Sequence, residues 1–142
     1  MSALGTVARL KRAAKAPPIL LADREADALF ELAAIWQRRH PLSARLLLQE
    51  LDRARTVPAG ELPADVVTMR SQVVFLDRAS GERHSVWLVY PGEADMALQR
   101  VSVLTPIGAG LIGLRRGSAI AWPNRRGKPR MLEVVEVIQP PR

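Results

Sequence analysis

The side chains best equipped for chemistry are few. The 142-residue chain has no cysteine and only two histidines, His40 and His84. Composition alone excludes disulfides, zinc-thiolate sites, iron-sulfur clusters and cysteine nucleophiles, and two imidazoles cannot form a three-histidine zinc site. A serine nucleophile needs a base and an orienting group, and neither histidine stands in a G-x-S-x-G-like setting. His84 falls in a turn-to-strand stretch and His40 between two helices, so both read as structural or exposed side chains. Gly108-Ala109-Gly110 followed by Gly113 is half of a nucleotide-binding glycine pattern. It follows a helix cap and lacks both a βαβ frame and a later ribose-binding acid, so close helix-to-sheet packing explains the glycines better. Asp77, Glu82, Glu93 and Asp95 are scattered through expected turns, where solvated carboxylates are the default. No catalytic residue, metal site, cofactor or small-molecule substrate is expected.

Charge points to partners instead. The net charge is +7, from 21 basic and 14 acidic side chains, a balance that favours polyanions or the acidic surfaces of other proteins. Arg9, Lys11, Arg12 and Lys15 precede the first acid, Asp23, so residues 1–18 read as a basic, flexible tail. The loop Arg125-Arg126-Gly127-Lys128-Pro129-Arg130 is a second basic concentration. Neither has interleaved aromatics, which limits the expectation to weak nucleic-acid contact. No apolar run approaches the roughly 20 residues of a membrane crossing, so a cytoplasmic protein without membrane contact is expected.

The elements follow from periodicity. Asp23, Glu25 and Asp27 suit the positive end of a helix, and Leu29, Leu32, Ala33 and Trp36 repeat at helical spacing until Pro41 closes it. A second helix is predicted with Ser43 as its cap and Ala44, Leu47, Leu48 and Leu51 on one stripe. The short joint predicts an antiparallel helical hairpin over 19–58, with arms of roughly 20 Å. From Val66 the period changes. Strands are predicted over 66–69, 72–76, 85–90 and 101–104, then a short helix from Thr105-Pro106 through Leu114, then a closing hairpin of 118–122 and 131–138. Consecutive apolar residues at 86–90 predict cover on both faces of that strand, and Val134-Val135, which breaks alternation, predicts either a β-bulge or two-sided burial. The fold class is α+β: the hairpin, then an antiparallel sheet wrapped on one short helix over 59–142.

Asp65-Val66-Val67-Thr68-Met69, Leu88-Val89-Tyr90-Pro91, Ser102-Val103-Leu104-Thr105-Pro106-Ile107-Gly108 and Leu111-Ile112-Gly113-Leu114 form an ordered set over most of residues 62–139. This set resembles the C-terminal domain of the Gre transcript cleavage factors and, within that family, of the short regulators of nucleoside diphosphate kinase. Pro41-Leu42 and Glu50-Leu51-Asp52-Arg53-Ala54 look like the second arm of those regulators' short coiled coil. The resemblance implies an FKBP-like C-terminal domain that docks on RNA polymerase near its secondary channel. The corresponding helix start in Gre factors lies in the polymerase-contacting region, which places a docking edge at Leu104, Thr105, Pro106 and Ile107, with core packing as the first role of Leu104. One departure is Gly117-Ser118, where the family usually has glycine followed by aspartate and where a turn-capping hydrogen bond is expected to be weaker.

The second departure concerns chemistry. Gre factors carry acids at the tip of a long coiled coil, where carboxylates can hold a catalytic magnesium. The tip here reads Arg38-Arg39-His40-Pro41-Leu42-Ser43, and cationic side chains cannot ligate a hard cation. The expected function is a non-enzymatic transcription regulator that binds RNA polymerase, does not stimulate transcript cleavage and competes with factors that do. A basic nucleic-acid-binding module is the alternative; an FKBP-like prolyl isomerase ranks below it, because fold alone does not transfer function.

Overall fold

Two acids in the first turn, Asp23 and Glu25, open helix α1 (Asp23–Trp36), the start that the acidic cluster predicts. The computed structural model describes residues 17–123 and 128–141; the tail through residue 16 and the centre of the basic loop, 124–127, lie outside the described residues. α1 buries Ala26, Leu29 and Ala33, three and four residues apart, and Trp36 at its end is half-buried. Residues 37–40 then turn the chain, with the Arg39 and His40 N–H groups both donating to the Trp36 carbonyl at 3.1 and 2.9 Å.

Helix α2 (Pro41–Arg53) starts at the proline. The predicted cap, Ser43, lies inside the first turn, and His40 occupies the cap position without a side-chain hydrogen bond. The reason is that the fixed φ and missing N–H of proline fit the first helical position, so Pro41 opens the second helix as well as ending the first. α2 buries Ala44, Leu47, Glu50 and Leu51. Strand β1 (Leu20–Ala22) before α1 and strand β2 (Arg55–Val57) after α2 pair in parallel, Leu20 with Arg55 and Ala22 with Val57. Three-residue strands give no periodic signal, which is why this pairing was not legible in the sequence.

Five further strands form the main sheet: β3 (Gln72–Asp77), β4 (Glu82–Val89), β5 (Arg100–Ser102), β6 (Ala119–Pro123) and β7 (Pro129–Ile138), in the order β5-β4-β3-β7-β6. The sheet is not wholly antiparallel as expected, because β5 runs parallel to β4, with Trp87 opposite Arg100 and Val89 opposite Ser102. The chain after Tyr90 passes two short 3-10 turns and a left-handed Gln99 (φ 57°), and so returns to the start of the paired stretch and not to its end. Within β3, Val73, Phe75 and Asp77 alternate inward. The β7 register slips between Val74, opposite Glu136, and Phe75, opposite Val134, leaving Val135 as the bulge, one of the two outcomes that the doubled valine predicts.

Residues 66–69 are not a strand. Val66 makes one isolated bridge to Arg115, and the chain then turns, with the Ser71 hydroxyl donating to the Thr68 carbonyl at 2.7 Å and Arg70 at φ 65°. The β-branched residues report burial here, not extension: Val66 and Val67 are fully buried, and Val67 pairs with the 113–114 backbone through bonds of 2.8 and 3.0 Å. Helix α3 (Pro106–Leu111) ends three residues before the expected Leu114, because Ile112 is extended and Gly113 has φ 79°. Asp77, read as a solvated turn acid, is 6% exposed. It faces Arg130 at 3.4 Å and accepts the Ala79 N–H at 3.0 Å. One connected core joins Leu29 and Leu47 of the helices to Ala109 and Leu111 of α3 and Leu132 and Val134 of β7.

Candidate functional site

The turn from β5 into α3 is tied at every residue. Ser102 Oγ accepts the Leu104 N–H at 3.0 Å, and Thr105 Oγ1 donates to the Ser102 carbonyl at 2.7 Å while accepting the Gly108 N–H at 3.1 Å. Thr105 thus caps α3 as predicted, with Pro106 in its first turn. Of the four edge residues, Leu104 lies in the core at 4% exposure, whereas Thr105, Pro106 and Ile107 are half-buried and present the surface. Gly108 makes the close approach possible: a Cβ there would stand 2.2 Å from the Ser102 carbonyl oxygen.

The tip is built on Trp36. Its ring lies 5.6 Å from that of His40, and the Arg39 guanidinium sits 5.8 Å above it, a cation-π arrangement that fixes one arginine while leaving its charge accessible. Arg38, Arg39, His40, Pro41 and Leu42 are all exposed, Leu42 at 57%. Among the described residues neither Arg38 nor Arg39 has an acidic partner within 4.0 Å. No carboxylate occurs between Glu31 and Glu50, so the tip has no strong oxygen donor for a hard cation. Edge and tip sit on separate elements, linked through the packing of α2 on α3. The turn at Gly117-Ser118 closes through the backbone, Gly117 donating to the Val134 carbonyl at 2.8 Å and Ser118 to that of Arg115 at 3.0 Å.

A third cluster escaped sequence reading. Glu25, which reads only as a helix-start acid, accepts the Met69 N–H at 3.2 Å, and burial pushes its carboxyl above the usual range. Beside it, Arg70 stacks 5.4 Å over Tyr90 and bonds Glu93 at 3.1 Å. The hydrogen bond from Arg70 holds the Glu93 carboxyl below its ordinary value, and burial raises that of the Tyr90 phenol. The cluster joins the first turn of α1 to the turn at Met69 and Arg70 and to the chain just beyond β4. A carboxyl raised in the folded state stabilises folding below its unfolded pKa, and that contribution is lost as pH rises through the folded value. Glu25→Gln, which keeps an acceptor for Met69, is therefore expected to melt higher than the parent at pH 7 and to converge with it at about pH 4. Thermal melts across that range check this; a parent more stable than the variant at pH 7 contradicts it.

The family described as "Transcription elongation factor, GreA/GreB, C-term" matches residues 62–139, which include the capped edge and the 66–71 turn. The regulator of nucleoside diphosphate kinase of Escherichia coli (strain K12) is 43% identical over 94 residues, covering 66% of this chain and 69% of that protein. The transcription inhibitor protein Gfh1 of Thermus thermophilus is 32% identical over 108 residues, 75% of this chain and 69% of its own. Among solved structures, a prokaryotic transcription elongation factor GreA/GreB from Nitrosomonas europaea aligns with a TM-score of 0.68 at 35% identity. That alignment covers 87% of this chain and 99% of the other, and so reaches beyond residues 62–139 into the helices.

Proposed function

The chain belongs to the GreA/GreB C-terminal family of transcription elongation factors, and from that membership we propose that it regulates transcription by binding RNA polymerase near the secondary channel without stimulating transcript cleavage. In this reading residues 59–142 are an FKBP-like docking domain, residues 19–58 a short coiled-coil hairpin that enters or blocks the channel, and residues 1–18 a basic tail. The observation that carries it is the pairing of a rigid, family-matched edge at Thr105, Pro106 and Ile107 with a tip that carries arginines and no carboxylate. A cationic tip has nothing with which to hold a magnesium ion, so occupation of the channel without cleavage is inhibitory in kind.

A pull-down with purified core polymerase at low salt, where electrostatic attraction is strongest, tests the docking. Ile107→Glu is expected to weaken association about tenfold or more, since it places a charge in an interface that must desolvate, with the circular dichroism spectrum of the parent retained. No association of the parent rejects the reading. Stalled, backtracked elongation complexes test the chemistry: the protein alone is expected to leave the RNA 3′ end uncut, and to inhibit an added cleavage factor in proportion to dose. Efficient cleavage by the protein alone overturns that half of the proposal.

A nucleic-acid-binding module would have to draw on cations other than three that acids already hold. Arg78, Arg115 and Arg130 are held by Glu133, Asp65 and Asp77 at 2.6, 3.3 and 3.4 Å, which removes them from the free basic surface.

A further inference from the structure

α2 carries two stripes. One, Ala44, Leu47 and Leu51, is buried in the core. The other, Pro41, Arg45, Leu48 and Asp52, repeats at spacings of four, three and four on the outward side and lines a shallow groove with Phe30 of α1 and Gln49. That spacing is the seam of a two-helix coiled coil; Leu48 packs on its inner side against the core, and the groove stands open among the described residues. Leu48 is half-buried, and Phe30 is 41% exposed. Among the described residues neither Arg45 nor Asp52 has an ion-pair partner.

The charges identify what fits. Arg45 and Asp52 lie seven residues apart, two helical turns, at equal distances from the midpoint between Leu48 and Gln49. A helix laid antiparallel on this face and related by a two-fold axis through that midpoint brings Arg45 opposite Asp52 twice, with Leu48 at the centre. An acidic segment would suit Arg45 and repel Asp52. The N-terminal stretch of this chain, with Arg9, Lys11, Arg12 and Lys15 and no acid, would do the reverse. Only a pattern with both charges in reversed order satisfies both sites, and the chain itself supplies that pattern.

We propose that the outward face of α2 is a self-association surface that pairs two copies of this chain antiparallel about a two-fold axis, in an isologous contact centred on Leu48. The contact is small and therefore concentration-dependent. It does not require the polymerase reading, because it is measured on the protein alone.

Charge exchange provides the test. Arg45→Asp sets two acids against each other at both ends of the contact, and Asp52→Arg sets two arginines together there, so each single variant is expected to dimerise at least about tenfold more weakly than the parent. Mixing the two single variants places acids against arginines at both sites, and the double variant restores the pair in reverse, so both are expected to return to within about threefold of the parent. Both substitutions place charge where the helix dipole favours it, and both residues are exposed, so the helix is retained. Sedimentation equilibrium from about 10 μM to about 1 mM reads the result. A parent that stays monomeric throughout, single variants that dimerise like the parent, or a mixture that stays monomeric would each overturn the proposal; in the second case another surface, the N-terminal stretch included, holds the copies together.

Discussion

Gly108→Ala is expected to destabilise the fold by about 3 kcal/mol, the upper end for an overpacked site, although it adds a single methyl group. Its Cβ would stand 2.2 Å from the Ser102 carbonyl oxygen and 2.9 Å from Val103 Cα, and both neighbours are backbone that cannot rotate away. Relief requires α3 to lift from β5. That movement also loosens the Thr105 cap, an interaction worth about 1 kcal/mol. Against a total stability of about 5–15 kcal/mol the loss is large. Gly60→Ala and Gly92→Ala are the controls, since nothing lies within 4 Å of a Cβ at either position. Urea unfolding checks the comparison, and a Gly108→Ala midpoint equal to that of the controls would show that the edge yields more easily than its hydrogen bonds imply.

Arg53→Met is expected to cost about 3 kcal/mol. Glu50 is 1% exposed, and Arg53 Nε pairs with its carboxylate while another guanidinium nitrogen donates to the Pro17 carbonyl. Removing the cation takes a strong partner from a buried anion and releases the chain entering β1. The figure sits at the low end for a broken buried pair because Arg53 is itself 25% exposed. Replacing both residues, Glu50→Met with Arg53→Met, is expected to recover most of the loss, since the charge that needed compensation has gone. Chemical denaturation of the four members of the cycle measures this; a double variant less stable than Arg53→Met alone falsifies the account.

What the sequence made legible was whatever depends on neighbours along the chain. Thr105 and Pro106 announce the start of α3 because cap and first-turn chemistry are local, and Val134-Val135 announces a bulge or two-sided burial because alternation fails within the strand itself. Asp23 marks the first helix start for the same reason, whereas Pro41 was legible only as the end of that helix, and the second start, expected at Ser43, falls at Pro41 itself. Contacts between distant segments left no such mark. The valines at 66 and 67 have the composition of a strand, but the Ser71 hydroxyl and the left-handed Arg70 decide the turn that follows. Asp77 looks like any turn acid until Arg130 arrives from β7, and Glu25 meets Met69 across 44 residues of sequence. The burial of Leu104 and the stacking of Arg39 on Trp36 likewise required the fold.

The parallel pairing of β1 with β2 bears on how the tip is aimed. Both feet of the helix pair are stitched together by backbone bonds, Arg55 N–H to the Ile19 carbonyl at 3.0 Å among them, and the Leu20 N–H anchors the same stitch to the Gly113 carbonyl at 3.0 Å. An arm rooted at one strand can swing; an arm rooted at both must break main-chain bonds to do so. The tip is therefore a pointer whose bearing relative to Ile107 is set before any partner is met. For a partner that engages both, seating the edge makes the tip contact intramolecular, with an effective concentration that is high if the geometry matches and zero if it does not. Inserting or deleting one helical turn in each arm would move the tip by about 5.4 Å with no hinge to absorb the change, so arm length carries information as surely as the side chains at its end.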